Sequence, residues 1–177
     1  DQLKIIFSYI VPNVLGNFTM MVAFLWLLNS SFTTHVQYYW AVALSLLLFI
    51  RLYLYFWSLT GNVHLYPRKW LVIYAGLLFL TGCVWGSIVF IPMDMIGYEL
   101  ETVMIITFLL ALACVSAISS SAHPLIIWAF LIPVTLCASY KGFYLPIGGY
   151  NYVIGFGALA FAGAVGLVSY SIHKIIV

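Results

Sequence analysis

The stretch WLVIYAGLLFLTGCVWGSIVFI, from Trp70 to Ile91, runs from end to end without a charged side chain. A bilayer core is crossed by about 20 consecutive apolar residues in a helix, and this stretch meets that length. Working outward, similar runs lie on both sides. Pro12 to Leu28 and Val36 to Trp57 precede it; Thr102 to Ser121, Pro124 to Tyr144 and Tyr150 to Ile172 follow. The segment DQLKIIFSYIV before the first run either continues its helix or lies along the interface. The breaks carry turn chemistry: Asn29-Ser30-Ser31, Thr60-Gly61-Asn62, Pro92-Met93-Asp94, Ser119 to His123 and Gly148-Gly149. Pro124 suits the first turn of a helix, where its missing N–H costs nothing. The runs are continuously apolar, without the in-and-out alternation of a membrane β-barrel. The expectation is an all-α integral membrane protein, a single six-transmembrane-helix bundle.

Composition points the same way. Of 177 residues, 66% are hydrophobic and 6% charged, with a mean hydropathy of +1.16. A water-soluble domain carries about 25% charged residues, and six basic plus four acidic side chains cannot cover a globule of this size. This excludes a soluble enzyme, a disordered chain and a secreted disulfide scaffold. A net charge of +2 offers no phosphate-neutralising patch, which excludes a nucleic-acid partner. The first apolar run has no small-residue cleavage site after it, so no cleavable signal peptide is expected.

Lysine and arginine set the orientation. Lys4, Arg51, Arg68, Lys69 and Lys174 belong to the N-terminus, the second–third connection or the C-terminus, which share a side if six spans are present. Lys141 falls opposite, with Asp94, Glu99 and Glu101. Both termini are expected to be cytoplasmic (N-in/C-in). Aromatic belts agree: Tyr38, Tyr39, Trp40, Tyr98, Tyr144, Tyr150 and Tyr152 mark the outer interface, and Tyr53, Tyr55, Trp57, Tyr66 and Trp70 the inner one.

Arg51 is the costliest residue, since an arginine at the bilayer centre costs about 2.5–3.5 kcal/mol. Asn13 and Asn17 lie one turn apart on the first helix at a similar depth, and their carbonyl oxygens suit a guanidinium. A structural polar clamp of Asn13, Asn17 and Arg51 between helices one and two is expected; a substrate-contacting arginine is the alternative. Gly82 and Gly86 form a GxxxG spacing, and the sixth span is dense in glycine and alanine, Gly163 and Gly166 among them. Small residues let helices approach closely in lipid. Close packing of helices three, four and six is expected, with dimerisation through one such face as the alternative. Pro133 should kink the fifth span.

Cys83, Cys114 and Cys137 show no CxxC pairing and are read as packing residues. His35, His64, His123 and His173 lack i, i+4 ligand spacing, so neither metal nor cofactor is expected. Ser87 or Ser116 with His123 would be the nucleophile–base candidates, but neither serine has a GxSxG context, and no membrane-embedded aspartate pair or phosphate-binding loop is read, so no catalytic residue is expected in this chain. A transporter or channel is the main mechanistic rival, although the chain shows no acids within its spans and no internal repeat. A small-molecule pocket is expected in the outer half of the bundle, walled by Trp26, Trp85, Phe90, Tyr98, Tyr140 and Tyr144. Lys141 and the acidic segment from Asp94 to Glu101 would rim it, with Asn17 as a further candidate contact.

Five stretches carry a family resemblance: IFSYIVPNVLGN in the first helix, FIRLYLYF around Arg51, PRKW entering the third helix, TGCVWG within it, and the closing SIHKII. Together they resemble the N-terminal six-helix sensor domain of bacterial multidomain signalling proteins. Such domains precede GGDEF diguanylate cyclase modules, and a related set precedes quorum-sensing histidine kinases. The resemblance implies a bacterial inner-membrane location, a homodimer and an output module after Val177. It also implies a small apolar or lipid-like ligand whose binding shifts the last helix. It supplies no catalytic motif for these residues.

Overall fold

A computed structural model describes residues 8–28, 35–60, 67–91, 98–119, 123–144 and 150–176. Every long element is a helix. They are α1 (Ile10–Leu28), α2 (Val36–Thr60), α3 (Pro67–Ser87, extended by a 3-10 turn, Ile88–Phe90), α4 (Tyr98–Ser119), α5 (Pro124–Phe143) and α6 (Tyr150–Ile176). Four of them, α2, α3 with its 3-10 turn, α5 and α6, are long and apolar enough to cross a membrane. The described apolar stretches of α1 and α4, Ile10–Trp26 and Thr102–Ala117, are shorter. The fold class is thus all-α and of membrane-protein type, with four helices of spanning length among the described residues where six spans are expected from the sequence.

Proline chemistry explains two boundaries. Ile91 ends the 3-10 turn in an extended conformation (φ −67°, ψ 128°), because Pro92 follows it and disfavours helical backbone in the residue before. His123 is extended for the same reason ahead of Pro124, and its side chain accepts from the Leu125 N–H as the N-cap of α5. Pro67 starts α3 earlier than the apolar run does, so Arg68 and Lys69 are helical. At Pro133 the fifth helix continues without a break.

Side-chain contacts fix the directions of the helices. Arg51 meets Asn13 while Ser45 meets Met21, so α2 is antiparallel to α1. Trp40 meets Val84 while Arg51 meets Tyr74, so α3 is antiparallel to α2. Gly82 lies on Phe130 and Gly86 on Cys137, which makes α5 parallel to α3. Ser139 meets Gly155 while His123 meets His173, which makes α6 antiparallel to α5. Phe24 meets Phe108, and the cleft described below sets residues 9–20 of α1 along residues 111–116 of α4, which are again antiparallel. The helices alternate in direction, so α1 begins and α6 ends at the same end of the bundle.

The hub of the bundle is α5, packed against α3, α4 and α6. This corrects the expected close packing of helices three, four and six: the small residues of α3 and α6 approach α5. A Cβ on Gly82 would lie 2.7 Å from Pro133 Cγ and 2.9 Å from the Phe130 carbonyl oxygen; one on Gly86 would lie 2.8 Å from Cys137 Sγ. Gly166 lies against the Trp128 ring, which a Cβ there would strike. Gly163 faces open space, with nothing within 4 Å, so it is no packing residue here. Ser139 seals the α5–α6 contact by donating to the Gly155 carbonyl at 3.0 Å, and Asn151 donates to the Phe143 carbonyl at 3.0 Å. In lipid such van der Waals fit, rather than a hydrophobic drive, holds helices together.

Candidate functional site

The polar side chains of α1, α2 and α3 converge in a seam. Arg51 on α2 is fully buried. Its Nη2 donates to Asn13 Oδ1 at 2.8 Å and to the Tyr74 hydroxyl oxygen at 3.0 Å. The guanidinium carbon also lies 5.5 Å from the centre of the Tyr74 ring, a cation–π arrangement. Asn17 Nδ2 donates to the backbone oxygen of Asn13 at 2.7 Å and to its side-chain oxygen at 3.0 Å. Asn17 Oδ1 in turn accepts from the indole N–H of Trp85 at 2.7 Å. The seam therefore reads Tyr74–Arg51–Asn13–Asn17–Trp85. Asn17 is the bridge to α3 through Trp85, and Asn13 alone of the two amides accepts from the guanidinium.

The seam is locked at one end by aromatic rings. Trp85 is fully buried and makes edge contacts with Phe24 (5.7 Å between centres) and Trp40 (5.2 Å). The Trp40 N–H donates to the Val84 carbonyl at 2.6 Å. Each buried indole thus keeps its polar tip satisfied, as burial demands.

Beside the seam a cleft of about 320 Å³ opens between α1 and α4. Its walls are mostly apolar, with Pro12, Gly16 and Met20 facing Ala111 and Val115, and the amides of Asn13 and Asn17 lie on its floor. A ligand pocket of this kind is apolar with a few placed polar groups, and the volume is at the small end of the usual ≈ 300–1,000 Å³ range. Gly16 lines the cleft, and a Cβ there would meet nothing within 4 Å.

The outer-half pocket expected from the sequence does not assemble as one cavity. Trp85 belongs to the core, whereas Trp26 is 82% exposed and faces away from the bundle. Phe90, Tyr140 and Tyr144 do come together, with ring centres 5.8 and 4.7 Å apart, but all three are exposed. Phe90 and Tyr140 edge an outward-facing groove of about 510 Å³ with Leu136 and Phe143. Lys141 is half-buried in the last turn of α5. The side chain of Tyr98 and the acidic segment from Asp94 to Glu101 lie outside the described side chains.

Tyr74 and the Gly16–Val115 side of the cleft are missed by reading the sequence. Tyr74 had a usable signal: in an α2–α3 hairpin, residues equally far from the connection face one another, which sets Arg51 near Tyr74. At the end of the bundle where α6 finishes, His123 and His173 meet edge to face with centres 6.3 Å apart. Lys174 lies 4.9 Å above the Tyr170 ring. Burial, and then the neighbouring His173, push the His123 pKa below its ordinary 6.5. Among the described residues no group of three His, Cys, Asp or Glu could hold a metal ion. No known protein family, curated protein or solved structure matches the chain.

Proposed function

We propose that the chain is a membrane sensory domain that binds a small apolar or lipid-like molecule in the α1–α4 cleft and signals through α6. In this reading all six helices cross a bacterial inner membrane, both termini are cytoplasmic, and two copies work as a homodimer. The output is a cytoplasmic module joined after α6, a diguanylate cyclase in preference to a histidine kinase. The observation that carries the reading is the cleft itself: an apolar slot set directly against a buried polar seam that ties three helices together. A molecule in that slot touches Asn13 and Asn17, and through them Arg51, Tyr74 and Trp85. It can therefore favour one arrangement of α1 and α2 over another by its difference in affinity for the two. Support for the direction of signalling comes from α6, a 27-residue helix that is keyed along α5 and finishes at the end of the bundle where α1 begins.

The test is a fusion of the chain, in phase at Val177, to a diguanylate cyclase module, read as cyclic di-GMP in bacteria. Gly16→Leu fills the cleft and should change output by about threefold or more, which is under 1 kcal/mol of population shift. Gly157→Leu, at a site that faces open space, should not. Equal output from both variants, or topology reporters placing the two ends on opposite faces, would remove the proposal.

A further inference from the structure

Arg51 leaves three of its five N–H donors unmet among the described residues. A guanidinium carries five N–H donors and no acceptor. Nη2 is occupied by Asn13 and Tyr74, while Nε and Nη1 are buried without a hydrogen-bond partner among the described residues. The ring of Tyr74 attracts the charge but accepts no bond from those two nitrogens. Glu99 and Glu101 lie in the first turn of α4, about 15 Å of helix from Ala111 and more than about 20 Å from Ser116, the two ends of the cleft's α4 wall. Asp94 precedes α4, and Asp1 precedes the described residues. A buried cation with orphan donors is costly by itself and strongly favours a charged acceptor over a neutral one.

The cleft is the second observation. Its apolar walls pass alongside Asn13, the same side chain that accepts from Arg51. The guanidinium thus sits one side chain behind a slot shaped for a hydrocarbon chain. We propose that the cleft takes an anionic amphiphile, a single alkyl or acyl chain ending in a carboxylate or phosphate, and that Arg51 selects its charge. The chain lies along Pro12, Gly16, Met20, Ala111 and Val115. The head group sits at Asn13 and reaches the unmet donors of Arg51, buried behind the cleft wall, by displacing the Asn13 amide. This rests on the ligand-binding reading above and adds the chemical class of the ligand.

Binding is measured on the chain in phosphatidylcholine nanodiscs, with dodecanoate, dodecyl phosphate and dodecanol as probes of equal chain length. The two acids should bind about tenfold tighter than the alcohol, the ratio one charge-assisted hydrogen bond supplies. Arg51→Gln should bring all three to within about threefold of one another, while Arg51→Lys keeps part of the preference. Gly16→Leu, which leaves Arg51 in place, should abolish binding of all three. Equal affinity for dodecanol and dodecanoate, or unchanged dodecanoate binding to Gly16→Leu, would overturn the proposal. These two comparisons hold even if Arg51→Gln fails to fold. Phosphatidylglycerol nanodiscs separate the sources. Loss of dodecanoate binding there identifies a membrane lipid head group as the occupant, and retained binding identifies a free amphiphile. Charge-selective binding with no change in the cyclase fusion would sink the sensory reading alone; altered output without charge selectivity would sink this one alone.

Discussion

The indole N–H of Trp85 and the side-chain oxygen of Asn17, 68 residues apart in sequence, are joined at 2.7 Å in the interior of the bundle. This bond ties α1 to α3 and sets which way the Asn17 amide faces: with its oxygen taken by Trp85, its NH₂ turns to Asn13.

That pairing has a measurable cost if broken on one side. Asn17→Leu leaves a buried indole N–H without an acceptor and should destabilise the protein by about 1–3 kcal/mol. Adding Trp85→Phe removes the orphan donor, so the double variant should lose less than the sum of the single losses by at least about 0.5 kcal/mol. Reversible unfolding in mixed micelles gives all four corners of the cycle. Strictly additive losses would show that the two side chains are not coupled.

The Tyr74 hydroxyl is a separate handle on Arg51. Tyr74→Phe keeps the ring and deletes one acceptor from a buried cation, which should cost about 1.5–3 kcal/mol, the range for hydrogen bonds to charged groups. A change below about 0.5 kcal/mol in the same unfolding measurement would count against the observed bond as a stabilising one.

Two glycines should respond in opposite directions. At Gly82 a methyl group meets the Pro133 ring and a backbone carbonyl oxygen, and α3 must move off α5; Gly82→Ala should cost about 1–3 kcal/mol. At Gly163 nothing stands in the way, so Gly163→Ala should gain up to about 1 kcal/mol from helix propensity. Thermal unfolding of both variants decides it, and the reverse order would place the α3–α5 contact elsewhere.

Acid should weaken the end of the bundle where α6 finishes. Folding lowers the pKa of His123 below 6.5, so as pH falls the unfolded chain takes up the proton first. The folded state is then penalised progressively below about pH 7, and fully once pH drops beneath the folded value. Protonation also ends the acceptance by His123 Nδ1 of the Leu125 N–H, beside His173 and Lys174. His123→Asn retains a capping oxygen without titrating, and it should flatten the dependence of melting temperature on pH between about 7 and 5. An unchanged slope in that variant would assign the effect to another group.

Much of the helix inventory could be read from the sequence because polar breaks and prolines punctuate it: Pro124 and Pro67 begin helices, and Pro92 ends one. Pairing Asn13 with Arg51 was also within reach, since few polar side chains share that depth. What could not be read is which way each helix faces. In lipid an apolar residue is equally at home inside and outside, so Trp26 and Trp85 look alike in sequence, yet one is exposed and the other is at the centre. Gly163 and Gly166 differ in the same way, separated by only three positions and by whether Trp128 stands opposite.

The unequal fastening of the six helices has a mechanical outcome. The trio α3, α5 and α6 is keyed ridge to notch by Gly82, Gly86, Gly142, Gly155 and Gly166, and a turn of any one helix would collide with the next. By contrast α1 is held to α4 mainly at its far end, through Phe24 and Phe108, while the slot spreads from Met20 toward Tyr9. A swing of α1 about Phe24 would have to break the Asn17–Trp85 bond to α3 and, with α2 carried along by the Asn13–Arg51 bond, the Arg51–Tyr74 bond as well. In the sensory reading proposed above, an occupant of the slot would be the doorstop to that swing.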